Sequence, residues 1–193
     1  SGRASHLTEL QADNLTVTVG GRTLLDQVSF AVSVGKVLGI VGPSGSGKTV
    51  LLHAVLDLLS GGLVLSGGGV RIDGIAKTPA SLRGIVGLLA QDARGSLDPL
   101  RTAEQAVMHA SILGGKTPTS RDISAILTRA GFADPGVVAG LYPHELSGGM
   151  AQRVATAVAL ARGSRFLLCD EPTTGLDADV QRQVVRELRT LTD

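Results

Sequence analysis

Gly42-Pro43-Ser44-Gly45-Ser46-Gly47-Lys48-Thr49 is the stretch that decides how the rest of the chain is read. It fits G-x-x-x-x-G-K-[ST], a phosphate-binding loop. Glycines adopt backbone conformations closed to other residues and keep side chains out of the way. Successive N–H groups can then turn inward around a phosphate chain. Gly42, Pro43, Ser44, Gly45, Ser46 and Gly47 are therefore candidate nucleotide contacts. Lys48 is expected to reach the β- and γ-phosphates, and Thr49 to offer its hydroxyl to Mg²⁺. The loop is expected to open a helix whose positive end also faces the phosphates. Its flanks agree. Val37-Leu38-Gly39-Ile40-Val41 reads as a buried strand. Val50, Leu51, Leu52, Val55, Leu56, Leu58 and Leu59 predict a strongly apolar helix, stopped by Ser60-Gly61-Gly62.

Bulk properties exclude several alternatives. A length of 193 residues is one domain with room for a subdomain. Hydrophobic residues make up 43% and charged residues 18%, the balance of a globular chain rather than a disordered one. The net charge of +1 gives no electrostatic case for nucleic acid as a partner. An aromatic content of 2% leaves little for base-stacking platforms. The single cysteine cannot form an intramolecular disulfide and fits a reducing compartment. No apolar run reaches the length of a bilayer-spanning helix. Ser1-Gly2-Arg3-Ala4-Ser5-His6 has no apolar core of a signal peptide and reads as a flexible leader. The expected location is cytoplasmic, with any membrane role reached through a partner.

Along the chain, Leu15–Val19 alternates as a strand ending at Gly20-Gly21, a hairpin turn. Val28–Val32 is a second strand, and Gly35-Lys36 turns the chain toward Val37. Ser66-Gly67-Gly68-Gly69 and Asp73-Gly74 bracket a short strand, Val70-Arg71-Ile72. Gly84–Ala90 reads as a buried strand ending at Gln91. From Asp92 to about Gly163 the periodicity is helical. Thr102–Leu113 is one helix. A second is capped by Ser120, with Ile123, Ile126 and Leu127 on one face, and ends at Gly131. Gly148–Ala161 is a third. Strand texture returns at Arg165–Asp170, and an amphipathic helix runs from about Ala178 to the end. The predicted class is α/β: a core of residues 1–91 and 164–193 that includes an antiparallel β subdomain, interrupted by a helical subdomain at 92–163.

Three further motifs carry chemistry. Phe166-Leu167-Leu168-Cys169-Asp170 is an apolar strand ending in a carboxylate, the element that orients Mg²⁺ and its waters opposite a phosphate loop. Glu171 follows immediately and is suited to polarise an attacking water as general base. In Leu146-Ser147-Gly148-Gly149-Met150-Ala151-Gln152-Arg153, a hydroxyl and two glycines at a helix start make an anion site. The wording resembles the L-S-G-G-Q-type signature of ABC-transporter ATPases, with Met150 at the fifth position. On these motifs the chain resembles, over nearly its whole length, an ABC nucleotide-binding domain with a P-loop NTPase core.

That resemblance implies roles for further residues. Gln91 matches the Q-loop glutamine, which senses Mg²⁺ and the γ-phosphate and links the site to the helical subdomain. Asp170 and Glu171 match the Walker B aspartate and catalytic glutamate. Pro172-Thr173-Thr174-Gly175-Leu176-Asp177 matches the D-loop. The implied metal ligands are Thr49, Gln91 and Asp170, and the implied cofactors are ATP and Mg²⁺. Ser147, Gly148 and Gly149 are implied to act in trans, closing on ATP held by a second nucleotide-binding domain in a head-to-tail dimer. Gln91–Pro99 and Tyr142–Leu146 look like the oligopeptide, dipeptide and nickel importer branch, in which the segment after the Q-loop meets transmembrane permease subunits.

Two departures stand out. The family stacks adenine on an aromatic residue just after its first strand; that place falls near Val19, and no aromatic lies between Leu7 and Val28. A lost base–aromatic stack costs about 1–3 kcal/mol. Either Val19 gives apolar contact or another chain supplies the stack. The family's switch histidine is expected one helix and one strand after Glu171, and none of His6, His53, His109 or His144 stands in that place. The sequence therefore reads as truncated before that element and as a weak hydrolase alone. Cys169 reads as a buried small hydrophobe. Arg129, Arg153 and Arg162 read as helix-surface or subdomain residues. The expected function is an ATP-driven transporter motor, peripheral on the inner membrane face. The alternatives are a nucleotide-gated dimerisation module and a small-molecule kinase. The kinase leaves Ser147-Gly148-Gly149 and the D-loop match unexplained.

Overall fold

Strand β1 (Glu9–Val19) and strand β2 (Arg22–Ser33) form the hairpin expected at Gly20-Gly21, longer on both arms than the periodicity indicated. Gly20 and Gly21 adopt φ of 53° and 79°, the left-handed pair that a two-residue hairpin turn requires. The computed structural model describes residues 9–82 and 84–172, together with the helical positions Arg182, Arg186 and Arg189. The chain divides between positions 83 and 84 into two compact units.

In the first unit, β1 and β3 (Leu63–Ile72) are the inner strands of an antiparallel sheet ordered β2-β1-β3-β4, with β4 at Ile75–Ala76. Leu10, Ala12, Leu15 and Val17 of β1 are buried. Alternation breaks between Ala12 and Leu15, where the register shifts and Asn14 takes a φ of 49°. Strand β3 runs straight through Ser66-Gly67-Gly68-Gly69, whose composition predicts a strand boundary. The physical reason is the irregular stretch of β1 opposite. A Cβ on Gly68 would collide with the backbone carbonyls of Asp13 and Asn14, and Gly68 has a φ of 81°. The glycine run is thus what lets the ladder continue past the irregularity. Gly68→Ala should destabilise the protein by about 1–3 kcal/mol. The check is the urea-unfolding midpoint, with half-buried Gly69, whose Cβ would meet nothing within 4 Å among the described residues, as the comparison site.

Helix α1 (Lys48–Leu56) buries Leu51, Leu52, Ala54, Val55 and Leu56 and packs on β1 and β3. It ends at Leu56, four residues before the expected Ser60 stop. Asp57 takes the left-handed conformation, and the N–H groups of Asp57 and Leu58 donate to the carbonyls of Ala54 and His53. This is a Schellman termination with Asp in the place usually held by glycine. A second correction concerns residues 36–43. They form no strand, and Val37 and Val41 are 68% and 94% exposed. Val and Ile favour extended backbone, but a strand is completed only by a neighbour's hydrogen bonds. Among the described residues no strand pairs with this segment.

In the second unit, β5 (Val86–Leu89) and β6 (Phe166–Cys169) pair in parallel, from Val86↔Phe166 to Leu89↔Cys169. A one-turn helix, α2 (Pro79–Leu82), precedes them at the end of the first unit. Between β5 and β6 lie α3 (Ala103–Leu113), α4 (Ser120–Arg129), α5 (Pro135–Ala139), a 3₁₀ turn at Pro143–Glu145, and α6 (Gly148–Arg162). One core joins Leu89, Val107, Ile123, Leu127, Val138 and Val154. The N-cap of α4 is Thr119, one residue before the expected Ser120. Its N–H and hydroxyl both donate to Asp122, at 2.8 and 2.7 Å. Those hydrogen bonds hold the Asp122 carboxyl below its ordinary pKa. The end of α4 is the expected one: Gly131, with a φ of 97°, closes a Schellman turn through Phe132 N–H and Leu127 O. Alpha/beta class therefore stands. The helix expected from Ala178 onward lies outside the described residues except at Arg182, Arg186 and Arg189.

Candidate nucleotide-binding and catalytic site

The phosphate-loop candidate follows a turn on Gly35, where Lys36 N–H donates to Ser33 O at 3.1 Å. Ser46 N–H donates to Pro43 O at 3.2 Å, curling the loop. Gly45 and Gly47 hold φ of 79° and 91°. A Cβ at either position would be strained by that conformation alone. Lys48 Nζ folds back over the loop and donates to the carbonyls of Gly42 and Pro43, at 3.1 and 3.0 Å. Gly47 is the N-cap of α1 and contributes no side-chain acceptor, and the first turn of α1 carries no acid. In α3 and α4 the first turn carries Glu104 and Asp122. An anion from outside the helix would therefore meet the positive end of α1 without competition from an acid in its first turn. Val19 ends β1 and is half-buried, opposite Arg22 and Leu63.

In the second unit, parallel pairing brings together residues that are far apart in sequence. Gln91 follows β5, and Asp170 and Glu171 follow β6, so all three stand at the carboxyl ends of adjacent parallel strands. That edge is where α/β sheets bind ligands. Asp170 N–H extends the ladder to Leu89 O at 2.9 Å, and Asp170 is only 5% exposed. Gln91 Nε2 donates to Glu171 Oε2 at 3.4 Å across 80 residues of chain. Glu171 has a φ of 47°, a left-handed conformation that a non-glycine residue adopts at a cost. Cys169, beside them, has its thiol pushed up to about 12 by burial, which agrees with an inert structural role.

The helix after Ser147 begins where the sequence predicts, at Gly148. Ser147 is the N-cap of α6, and its Oγ accepts from Met150 N–H at 3.2 Å. The first turn of α6 also carries no acid. Among the described residues a Cβ at Gly148 or Gly149 would meet nothing within 4 Å, so packing against them does not require either glycine. Arg153 lies over the Phe132 ring at 5.9 Å, a packing role on the helix. Asp177 and positions 173–176 lie outside the described residues.

The donor set fits Mg²⁺ delivered with a nucleotide. Among the described residues no three His, Cys, Asp or Glu side chains gather as a cation cage. Mg²⁺ needs no such cage, because one or two protein oxygens complete a shell supplied mostly by phosphates and water. Asp170 is a buried carboxylate of that kind.

A family profile described as ABC transporter matches residues 25–174, more than half of the chain. The chain belongs to the ABC transporter family. Among curated relatives of this ABC chain is the nickel import ATP-binding protein NikD of Brucella suis, 39% identical over 175 residues, covering 89% of this chain and 67% of the relative. The dipeptide transport ATP-binding protein DppD of Escherichia coli is 37% identical over 196 residues, covering 94% of this chain and 60% of that protein. The chain thus spans about two thirds of the length of these relatives. A dimeric post-hydrolysis structure of the ATP-binding cassette MJ0796, bound to ADP and Pi, aligns with a TM-score of 0.75 and 28% identity over 95% of this chain and 83% of that one. The structure of cbiO1 from Clostridium perfringens, part of the ABC transporter complex cbiONQ, shares the fold, with a TM-score of 0.77 and 24% identity over 95% of this chain and 73% of that one. This ABC ATP-binding chain is homologous to nickel and dipeptide importer ATPases. No described helix is long and apolar enough to cross a membrane.

Proposed function

We propose that this chain is the ATP-hydrolysing motor of an importer for peptides or nickel, working as a head-to-tail dimer on permease subunits at the cytoplasmic membrane face. The observation that carries the reading is the pairing of Gln91 with Glu171 at the ends of two adjacent parallel strands. In this reading Gly42–Thr49 cradle the phosphates, Lys48 binds the β- and γ-phosphates, and Thr49, Gln91 and Asp170 serve Mg²⁺. Glu171 takes a proton from the attacking water. Mg²⁺ supplies charge neutralisation at the phosphates when bound. Val19 offers the adenine apolar contact only, and Asp177 belongs to the dimer crossing. Residues 92–163 form the helical subdomain that transmits the nucleotide state to the permease. The importer branch rests on the relatives' names and on the Gln91–Pro99 and Tyr142–Leu146 wording. The exposed apolar side chains of Leu100, Met108 and Ile112, beside Asp98, Arg101 and His109, support a docking face on this subdomain.

The trans role of Ser147, Gly148 and Gly149 is supported by the open space at the two glycines, where an added Cβ would meet nothing within 4 Å among the described residues. Gly149→Asp should therefore fold normally but place a carboxylate where a partner's triphosphate must close. We expect ATP-dependent association, read by light scattering, to be lost, while a fluorescent ATP analogue still binds. Association at the wild-type ATP concentration in that variant would remove the signature motif from the nucleotide site.

A further inference from the structure

Gln91 and Ser147 have separate roles in the site, yet the loops that carry them are joined by one side chain. Residues 92–97 form a tight turn. Gly95 N–H donates to Asp92 Oδ1 at 2.9 Å, Ser96 N–H to Asp92 O at 3.1 Å, and Leu97 N–H to Arg94 O at 3.2 Å. Ala93 and Leu97 anchor the turn in the helical core. From its outer side, the Arg94 guanidinium donates to the carbonyl oxygen of Leu146. Leu146 is itself buried in that core, and its carbonyl belongs to the peptide unit that enters Ser147, the N-cap of α6.

We propose that Arg94 is a positioning residue that ties the turn following Gln91 to the peptide bond preceding Ser147, so that the glutamine loop and the signature helix start move as one piece. The inference rests on the assignment of Ser147–Gly149 to a partner's nucleotide, and it deepens that assignment by naming what aims the helix start. The chemistry suits the task. A guanidinium presents several donors in a fixed plane on a long stem, and a backbone carbonyl has a second lone pair to accept one of them. The carbonyl is fixed by its neighbours: Leu146 N–H donates to Pro143 O at 3.3 Å, and Ser147 Oγ is committed to Met150 N–H. A displacement of the 92–97 turn is therefore transmitted to Ser147 through Arg94 rather than lost in side-chain freedom.

The test uses Arg94→Met, which keeps the aliphatic stem and removes the donors, and Arg94→Lys, which restores one. Both are measured in the full chain beside Gly149→Asp. A hydrogen bond from a charged group corresponds to about a tenfold effect or more. Arg94→Met should raise the ATP concentration needed for association about tenfold, with binding of a fluorescent ATP analogue to the separate chain and the thermal midpoint unchanged. Arg94→Lys should recover most of the loss. Wild-type association in Arg94→Met, alongside lost association in Gly149→Asp, overturns the inference alone. Unaffected association in both variants overturns the underlying trans assignment. A fall in thermal midpoint and analogue binding together, not recovered by lysine, assigns Arg94 to stability and also overturns the inference.

Discussion

Glu171→Gln should lower steady-state ATP hydrolysis by about 10²–10⁴-fold, the range that one general base contributes. The substitution keeps the shape and one acceptor oxygen, and removes the negative charge and the ability to take a proton. The surroundings of Glu171 make this a clean experiment. Its backbone sits at a φ of 47° after the buried Asp170, and its carboxylate accepts from Gln91 Nε2 at 3.4 Å. A glutamine oxygen can accept the same bond, so the strand ends should keep their arrangement. Because binding precedes hydrolysis, ATP should then hold the dimer closed, and the associated species should accumulate. Phosphate release and light scattering in ATP and Mg²⁺ measure the two effects together. An unchanged rate of phosphate release would take the general-base role away from Glu171.

Lys48→Ala should weaken ATP binding by about 10²-fold or more. One hydrogen bond to a charged group contributes about 1.5–3 kcal/mol, and each 1.4 kcal/mol is a factor of ten. Lys48 is expected to reach two phosphates. In the structure the ammonium is held by the exposed carbonyls of Gly42 and Pro43, at 3.1 and 3.0 Å. Those carbonyls can turn to water when the ammonium is gone, so little stability should be lost. Calorimetric titration with ATP and a thermal melt of the same sample separate affinity from folding. Lys48→Arg should recover binding only in part, because a planar fork does not replace a compact point charge in a tight loop. Affinity within threefold of wild type for Lys48→Ala would remove Lys48 from the phosphate site.

Much of the candidate site was legible because its chemistry is written in consecutive residues. Gly42–Thr49, Leu146–Arg153 and Cys169-Asp170-Glu171 are each contiguous, and each needs particular residue types for backbone or charge reasons. The helices of the second unit were legible for a similar reason. Their caps and periodic faces are local, and the error at Thr119 amounts to one residue because Thr and Ser are both good caps. The failures came where neighbours in space decide. Residues 37–41 have the composition of a strand but lack a paired neighbour among the described residues. Ser66–Gly69 has the composition of a turn, yet it is strand because β1 carries its irregularity opposite Gly68. Asp57 ended α1 early by adopting a conformation that sequence reading assigns to glycine.

The sequence by itself determined the α/β class, the family and the identity of the candidate phosphate, metal and signature residues, since short motifs carry those through backbone freedom and charge. Only the tertiary structure decided that Gln91 meets Glu171, that Arg94 reaches the carbonyl before Ser147, and which glycines are required by packing. Each of these depends on strand pairing or helix packing between segments 50 to 80 residues apart, as the separations of 52 for Arg94–Leu146 and 80 for Gln91–Glu171 record. No local pattern encodes such a meeting, because the hydrogen bonds that create it are made by partners the local chain does not contain.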